Sequence, residues 1–150
     1  MNAEKTHIEL LHKELSYQIR GCAIEVRKNY GPGHKESIYQ NAYKEELESR
    51  CIPYKKEATI KVLSQKTGKS LGSYRPDFLI DDKVVVEIKA LRLIPKIETD
   101  TFYNYLRNSE YELGFLINFG GEKLTIKRTV YTNTRKPWYK LRRLSVSTSA

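Results

Sequence analysis

The chain has 150 residues, 39% of them hydrophobic and 11 of them tyrosine, enough for one domain with a packed core and too apolar for a disordered chain. No apolar run approaches the roughly 20 residues that span a bilayer, and the opening MNAEKTHIEL has no apolar signal segment, so a cytoplasmic protein away from membranes is expected. The net charge of +9 is uneven: beyond Glu122 lie Lys123, Lys127, Arg128, Arg135, Lys136, Lys140, Arg142 and Arg143 and no acid, which suits a polyanion such as nucleic acid and equally a solvated basic tail.

Residues 4–28 read as an amphipathic helix, with Ile8, Leu11, Leu15, Ile19, Cys22 and Val26 at spacings of three and four. Asn29-Tyr30-Gly31-Pro32-Gly33 stops it. A second helix is expected over about residues 35–50, on the stripe Tyr39, Tyr43, Leu47, with Glu36 in its first turn where the helix dipole favours a carboxylate. The period then changes to two, predicting a strand through Ala58, Ile60 and Val62, a turn at residues 65–69, and strands over 71–80 and 83–90 joined tightly at Asp81-Asp82. Residues 97–108 read as a helix, 113–119 as a buried strand and 124–130 as a last strand after Gly120-Gly121. The expected order is ααβββαββ, an α/β sandwich around a central mixed sheet flanked by helices. The helix between the third and fourth strands would make a right-handed crossover. Cys22 and Cys51 have no metal-ligand spacing and read as reduced thiols.

The chemistry-bearing stretch is Arg75-Pro76-Asp77-Phe78-Leu79-Ile80 followed by Val84-Val85-Val86-Glu87-Ile88-Lys89. Glu87 and Lys89 are two apart in an apolar strand and so leave the same face of the sheet. Burying them costs several kcal/mol each unless they are paired or bind an ion. Register decides whether Asp77 joins them. A two-residue loop at Asp81-Asp82 sets Asp77 opposite Val86 and turns Glu87 to the other face. A loop that includes Lys83, or a bulge of equal effect, pairs Ile80 with Val84 and brings Asp77 beside Glu87, and this register is predicted. Two adjacent carboxylates repel, which a hard divalent cation such as Mg²⁺ relieves. A bare ion pair from Lys89 to Glu87 or Asp77, without activity, is the competing reading.

Pro76-Asp77 with Glu87-Ile88-Lys89 resembles the PD-(D/E)XK phosphodiesterase signature, and Gly33-His34-Lys35-Glu36-Ser37-Ile38-Tyr39 resembles the hallmark of the GxxExxY family, small prokaryotic proteins assigned to that superfamily. Asn104-Tyr105-Leu106 and the run from Gly114 to Gly120 are similar to the family's later segments, so the likeness extends from about Leu15 to Tyr131. It implies a restriction-endonuclease-like domain over residues 1–131 and a basic C-terminal tail over 132–150. It further implies a metal-dependent nuclease acting on DNA in preference to RNA, with Glu36, Asp77, Glu87 and Lys89 as catalytic residues. Asp77, Glu87 and the Ile88 carbonyl would hold Mg²⁺ or Mn²⁺, and Lys89 would position the attacking water. Where relatives often carry a glutamine, this chain has Thr101, whose reach is shorter.

Further substrate contacts are open at several positions. Tyr39 lies one turn beyond Glu36 and is read either as a substrate contact or, preferably, as a core aromatic with a bonded hydroxyl. Arg75 is either a phosphate contact or an exposed strand residue. Arg135, Lys136, Trp138 and Lys140 form a basic–aromatic segment suited to stacking on bases and binding backbone, unless Trp138 anchors the tail to the core. Two alternatives to catalysis stay open: a non-catalytic nucleic-acid-binding module, and a protein-interaction domain with a vestigial site. Cutting both strands of a duplex with one site would call for a homodimer.

Overall fold

A computed structural model of the protein describes residues 3, 5 and 11–148. In chain order the elements are α1 (Lys13–Tyr30), α2 (Glu36–Ser49), β1 (Tyr54–Lys56), β2 (Ile60–Leu63), β3 (Ser70–Tyr74), β4 (Phe78–Ile80), β5 (Val84–Lys89), α3 (Lys96–Arg107), β6 (Leu113–Asn118), β7 (Thr125–Val130), a 3₁₀ turn (Asn133–Arg135) and α4 (Pro137–Thr148). Five strands form one mixed sheet in the order β1-β4-β5-β6-β7, and β2 with β3 forms a separate two-stranded sheet. β5 and β6 are parallel and joined through α3, while the other pairs are antiparallel. Among the described residues no helix is long and apolar enough to cross a membrane.

The sheet is covered on both faces, so its central strands are largely apolar: every residue of β6 is buried, and in β5 the polar exceptions are Glu87 and Lys89. One face carries Phe78, Ile80, Val84, Val86, Ile88, Phe115 and Ile117 against Ile19, Cys22 and Val26 of α1 and Tyr39, Tyr43 and Leu47 of α2. The other carries Leu79, Val85 and Leu116 against Phe102 of α3 and Ile60 of β2. Strand alternation therefore sends residues 77, 87 and 89 to the α3 face.

Four expectations need correction. The expected helix over 4–28 is broken at His12, whose left-handed backbone (φ 49°) a continuous helix excludes: residues 3 and 5 are helical, and α1 begins anew at Lys13; Ile8 lies outside the described residues. The expected strand over 71–80 is two strands in two sheets. Pro76 has no N–H for a ladder, and the chain changes sheets across residues 75–77. The three-residue edge strand β1 was not foreseen; it pairs with β4, Tyr54 opposite Ile80. The basic tail beyond residue 131 contains a helix that was not foreseen: Pro137 opens α4 at the position where a missing N–H costs nothing.

That last helix is fastened by two residues expected to touch substrate. Lys136 is fully buried, its Nζ donating to the carbonyls of Ser109 (2.9 Å) and Tyr111 (2.6 Å), and burial pushes its ammonium down to about 7. Trp138 is also buried and donates from its indole to Ser109 O at 3.2 Å.

At the opposite end of the sheet, Gly120 lies so close to the chain after β5 that a Cβ there would sit 2.4 Å from the Ala90 carbonyl carbon. Both partners are backbone and cannot rotate away. Gly120→Ala is expected to lower stability by about 2 kcal/mol or more, measured by urea unfolding; an unchanged midpoint would mean that this contact is soft.

Candidate active site

The β4–β5 hairpin sets the site. Asp81 and Asp82 both occupy the left-handed region (φ 52° and 54°), which Asp tolerates better than most residues, and Lys83 N donates to Ile80 O at 3.0 Å. Lys83 is then an extra residue, and Ile80 pairs with Val84, Leu79 with Val85 and Phe78 with Val86. Continued by one step, this register brings Asp77 opposite Glu87 on the same face. The ladder itself stops at Phe78. Beyond it each carboxylate takes the other strand's free amide: Glu87 Oε1 accepts from Asp77 N (3.1 Å) and Asp77 Oδ2 accepts from Ile88 N (2.7 Å). In a strand the N–H and C=O of one residue leave on the same side, so the Ile88 carbonyl points toward the same space as its amide.

Around this pair the structure gathers groups from four elements. Glu36 opens α2, and Gln40, one turn on, donates to both Glu36 Oε1 (3.1 Å) and Asp77 Oδ1 (3.0 Å). Lys89 Nζ is 3.1 Å from Glu98 Oε2 in the first turn of α3. The Tyr74 hydroxyl, at the end of β3, is hydrogen-bonded to Glu87, and its ring stacks on Tyr105 of α3 at 4.0 Å.

The electrostatics are those of an acidic site short of positive charge. Burial, then the neighbouring Asp77, pushes the Glu87 carboxyl up to about 7. Burial also raises Asp77, against the opposing pull of the Ile88 amide. Glu36 is raised by partial burial and then by Asp77. Burial lowers Lys89, but its bond to Glu98 and the charge of Glu87 outweigh this and leave the ammonium favoured. Among the described residues no group of three or more His, Cys, Asp or Glu side chains is disposed to hold a metal ion. The fit to a cation therefore rests on two carboxylates and a carbonyl. All are hard oxygen donors, and the raised carboxyls mark an uncompensated negative charge that such an ion would neutralise, so the set suits Mg²⁺ or Mn²⁺.

The remaining expected residues lie at varying distance. Arg75 is exposed in the link that leads into Asp77, and Thr101 is exposed one turn beyond Glu98 on α3. Tyr39 is fully buried, stacked on Phe119 at 4.9 Å, with its hydroxyl donating to Gly31 O and accepting from His34 N, so it is a core residue that holds the turn before Glu36 and has no surface for substrate. Arg135, Lys136, Trp138 and Lys140 do not join the site. Lys136 holds residues 109 and 111, before β6 begins, whereas Glu87 and Lys89 lie level with Leu116 and Asn118 toward its end. At about 3.3 Å per residue that is a separation of roughly 20 Å. Arg135 lies over the Tyr131 ring at 4.2 Å, on that same far end.

Three site residues escaped the sequence reading. Gln40 had a signal, four residues from Glu36 on one helix face. Glu98 and Tyr74 had none, since only the tertiary fold brings α3 and the separate hairpin to β5.

A family model described as the PD-(D/E)XK nuclease superfamily matches residues 13–129. The matched span contains Glu36, Asp77, Glu87 and Lys89 and stops before α4. No curated protein and no solved structure matches the chain. The five-stranded mixed sheet flanked by helices agrees with the restriction-endonuclease-like fold.

Proposed function

The chain belongs to the PD-(D/E)XK nuclease superfamily, and we propose that it hydrolyses phosphodiester bonds of DNA with the help of a divalent cation. One observation carries this reading: Asp77 and Glu87 stand side by side on the face that also presents Lys89, each tied to the other's strand. Asp77, Glu87 and the Ile88 carbonyl would hold Mg²⁺ or Mn²⁺. Such an ion supplies Lewis acidity toward a phosphate oxygen and a more acidic bound water. Lys89 offers its ammonium to the attacking water and to the charge that builds on the phosphoryl oxygens, and Glu98 keeps that amine protonated and aimed. Gln40 couples Glu36 to Asp77, so the helical glutamate extends the acidic site toward the solvent side. Tyr74 fixes the Glu87 carboxylate from the opposite flank.

Within the superfamily, the run from Gly33 to Tyr39 supports membership of the GxxExxY group, in which Glu36 stands at the glutamate of the name. Cleavage of both strands of a duplex would bring two copies of the chain together.

The reading is tested by incubating end-labelled single-stranded, duplex and branched DNA, and a matching RNA, with the protein. Cleavage that requires Mg²⁺ or Mn²⁺ and stops with EDTA is expected, with DNA preferred over RNA. Binding of DNA with no cleavage under any metal would replace the enzyme with a nucleic-acid-binding module. Cleavage that persists in EDTA would remove the role assigned to Asp77 and Glu87.

A further inference from the structure

Lys89 ends β5, and the segment that follows it is exposed and apolar. Leu91 is 36% exposed, Leu93 82% and Ile97, in the first turn of α3, 67%. Scattered surface leucines are ordinary, but three large apolar side chains within seven positions, beside a reaction centre, are not.

This segment is held firmly. The side chain of Asn118, buried at the end of β6, accepts from Leu91 N (2.9 Å) and donates to Leu91 O (2.7 Å). The close approach of Gly120 to Ala90 described above clamps the same stretch from the other strand. Leu93 therefore projects into solvent two residues beyond a pinned backbone.

Two hollows adjoin it. One, of about 500 Å³, is bounded by Pro32 and Gly120; the other, of about 400 Å³, by Ile94, Asn118 and Lys123; Arg92, Leu93, Gly121 and Glu122 border both. Either is within the size range of small-molecule sites, which begins near about 300 Å³. The surroundings are net positive. Arg92 and Lys123 stand at the rim. Beneath the turn, the Arg27 guanidinium donates to the carbonyls of Phe119 (2.8 Å), Gly121 (3.0 Å) and Glu122 (2.9 Å). Glu122 is the one acid among the residues bordering the hollows.

An apolar ridge bordering two hollows, framed by cations and continuous with Lys89, matches the form of a strand whose bases are flat and apolar and whose backbone is anionic. We propose that Leu93 is a wedge that inserts between two neighbouring bases of a nucleic-acid strand passing the active site, each base seated in one hollow and the backbone phosphates drawn to Arg92 and Lys123. Apolar side chains serve other proteins in this way, at the cost of unstacking one base step. The wedge favours single strands and frayed ends, where that cost is least, over intact duplex. The inference takes its ligand class from the nuclease reading but makes a claim about binding, so the two can fail separately.

The test uses the full chain carrying Lys89→Ala, with Mg²⁺ present, and a series of single-stranded oligonucleotides with 2-aminopurine at successive positions. A several-fold rise in fluorescence is expected at one or two adjacent positions. Leu93→Ser in the same background should remove that rise and weaken binding about ten-fold, and as an exposed position it should leave the fold intact. Oligonucleotides that bind with the same fluorescence in both proteins, or that do not bind at all, overturn the wedge. So does a dimer in sedimentation that Leu93→Ser dissociates, because the ridge would then be a contact between copies of the chain. Leu93-dependent unstacking in a protein whose wild type never cleaves would leave the wedge standing and overturn the nuclease reading alone.

Discussion

Asp77→Asn should abolish binding of Mn²⁺ and, with it, about 10³-fold or more of the cleavage rate, while Lys89→Ala should lose a similar factor of rate and keep the cation. The contrast follows from what each side chain does. Asp77 accepts at Oδ2 from the Ile88 amide and at Oδ1 from Gln40; asparagine keeps an oxygen for the first bond, and Gln40 can turn its amide to meet the second, giving up its bond to exposed Glu36. The hairpin therefore survives the change, and what is removed is the negative charge a cation needs. Lys89 touches no carboxylate assigned to the ion; its partner is Glu98. Removing its ammonium leaves the oxygen ligands in place and takes away the group that orients water and meets developing charge. Calorimetric titration with Mn²⁺ alongside single-turnover cleavage separates the two roles. Equal Mn²⁺ affinity in Asp77→Asn and wild type would mean that the ion does not sit at this pair, and a Lys89→Ala protein that cleaves normally would leave Lys89 as the structural partner of Glu98.

The parts of this molecule that follow local rules were legible from the residues. Helical stripes gave α1 and α2, and the valine-rich run gave β5. Hairpin register gave the pairing of Ile80 with Val84, because only two loop lengths were in play and each assigned Glu87 to a different face. What was hidden depended on tertiary choice. Nothing local distinguishes a ten-residue strand containing Pro76 from two strands that part company there, yet the second arrangement is what carries Tyr74 to Glu87. The basic segment misled for a related reason. Lys136 and Trp138 have the composition of a nucleic-acid contact, but the open carbonyls of Ser109 and Tyr111, invisible in sequence, offered the donors of both a buried place. Net positive charge on the chain thus does not locate the site, and the cations that act on its carboxylates are Lys89 of β5 and Lys56 of β1 rather than those of α4.

Glu87→Gln should make the metal-free protein more stable at alkaline pH while ending its activity. The Glu87 carboxyl is pushed from an ordinary 4.5 up to about 7 by burial and by Asp77, so the folded chain holds this proton more tightly than the unfolded one. Below about pH 4.5 both states carry the proton and the difference vanishes. Between 4.5 and 7 unfolding releases it, and stability falls as pH rises. Above 7 the fold bears the full cost of an ionised, poorly compensated carboxylate. At about 1.4 kcal/mol per pH unit, reduced for partial solvent access, that cost is roughly 2 kcal/mol. Glutamine has the same shape and can still accept from the Asp77 amide, but it has no charge to bury. Urea unfolding in EDTA should therefore show variant and wild type alike near pH 4.5 and the variant ahead by roughly 2 kcal/mol at pH 8. Adding Mg²⁺ at pH 8 should raise the wild type and leave the variant unmoved, since only the wild type regains a counter-charge for its two carboxylates. A wild type whose metal-free stability is flat from pH 4.5 to 8 would show that Tyr74 and Lys89 already satisfy Glu87. The site would then be a closed ion-pair network with no vacancy in charge for a cation to fill.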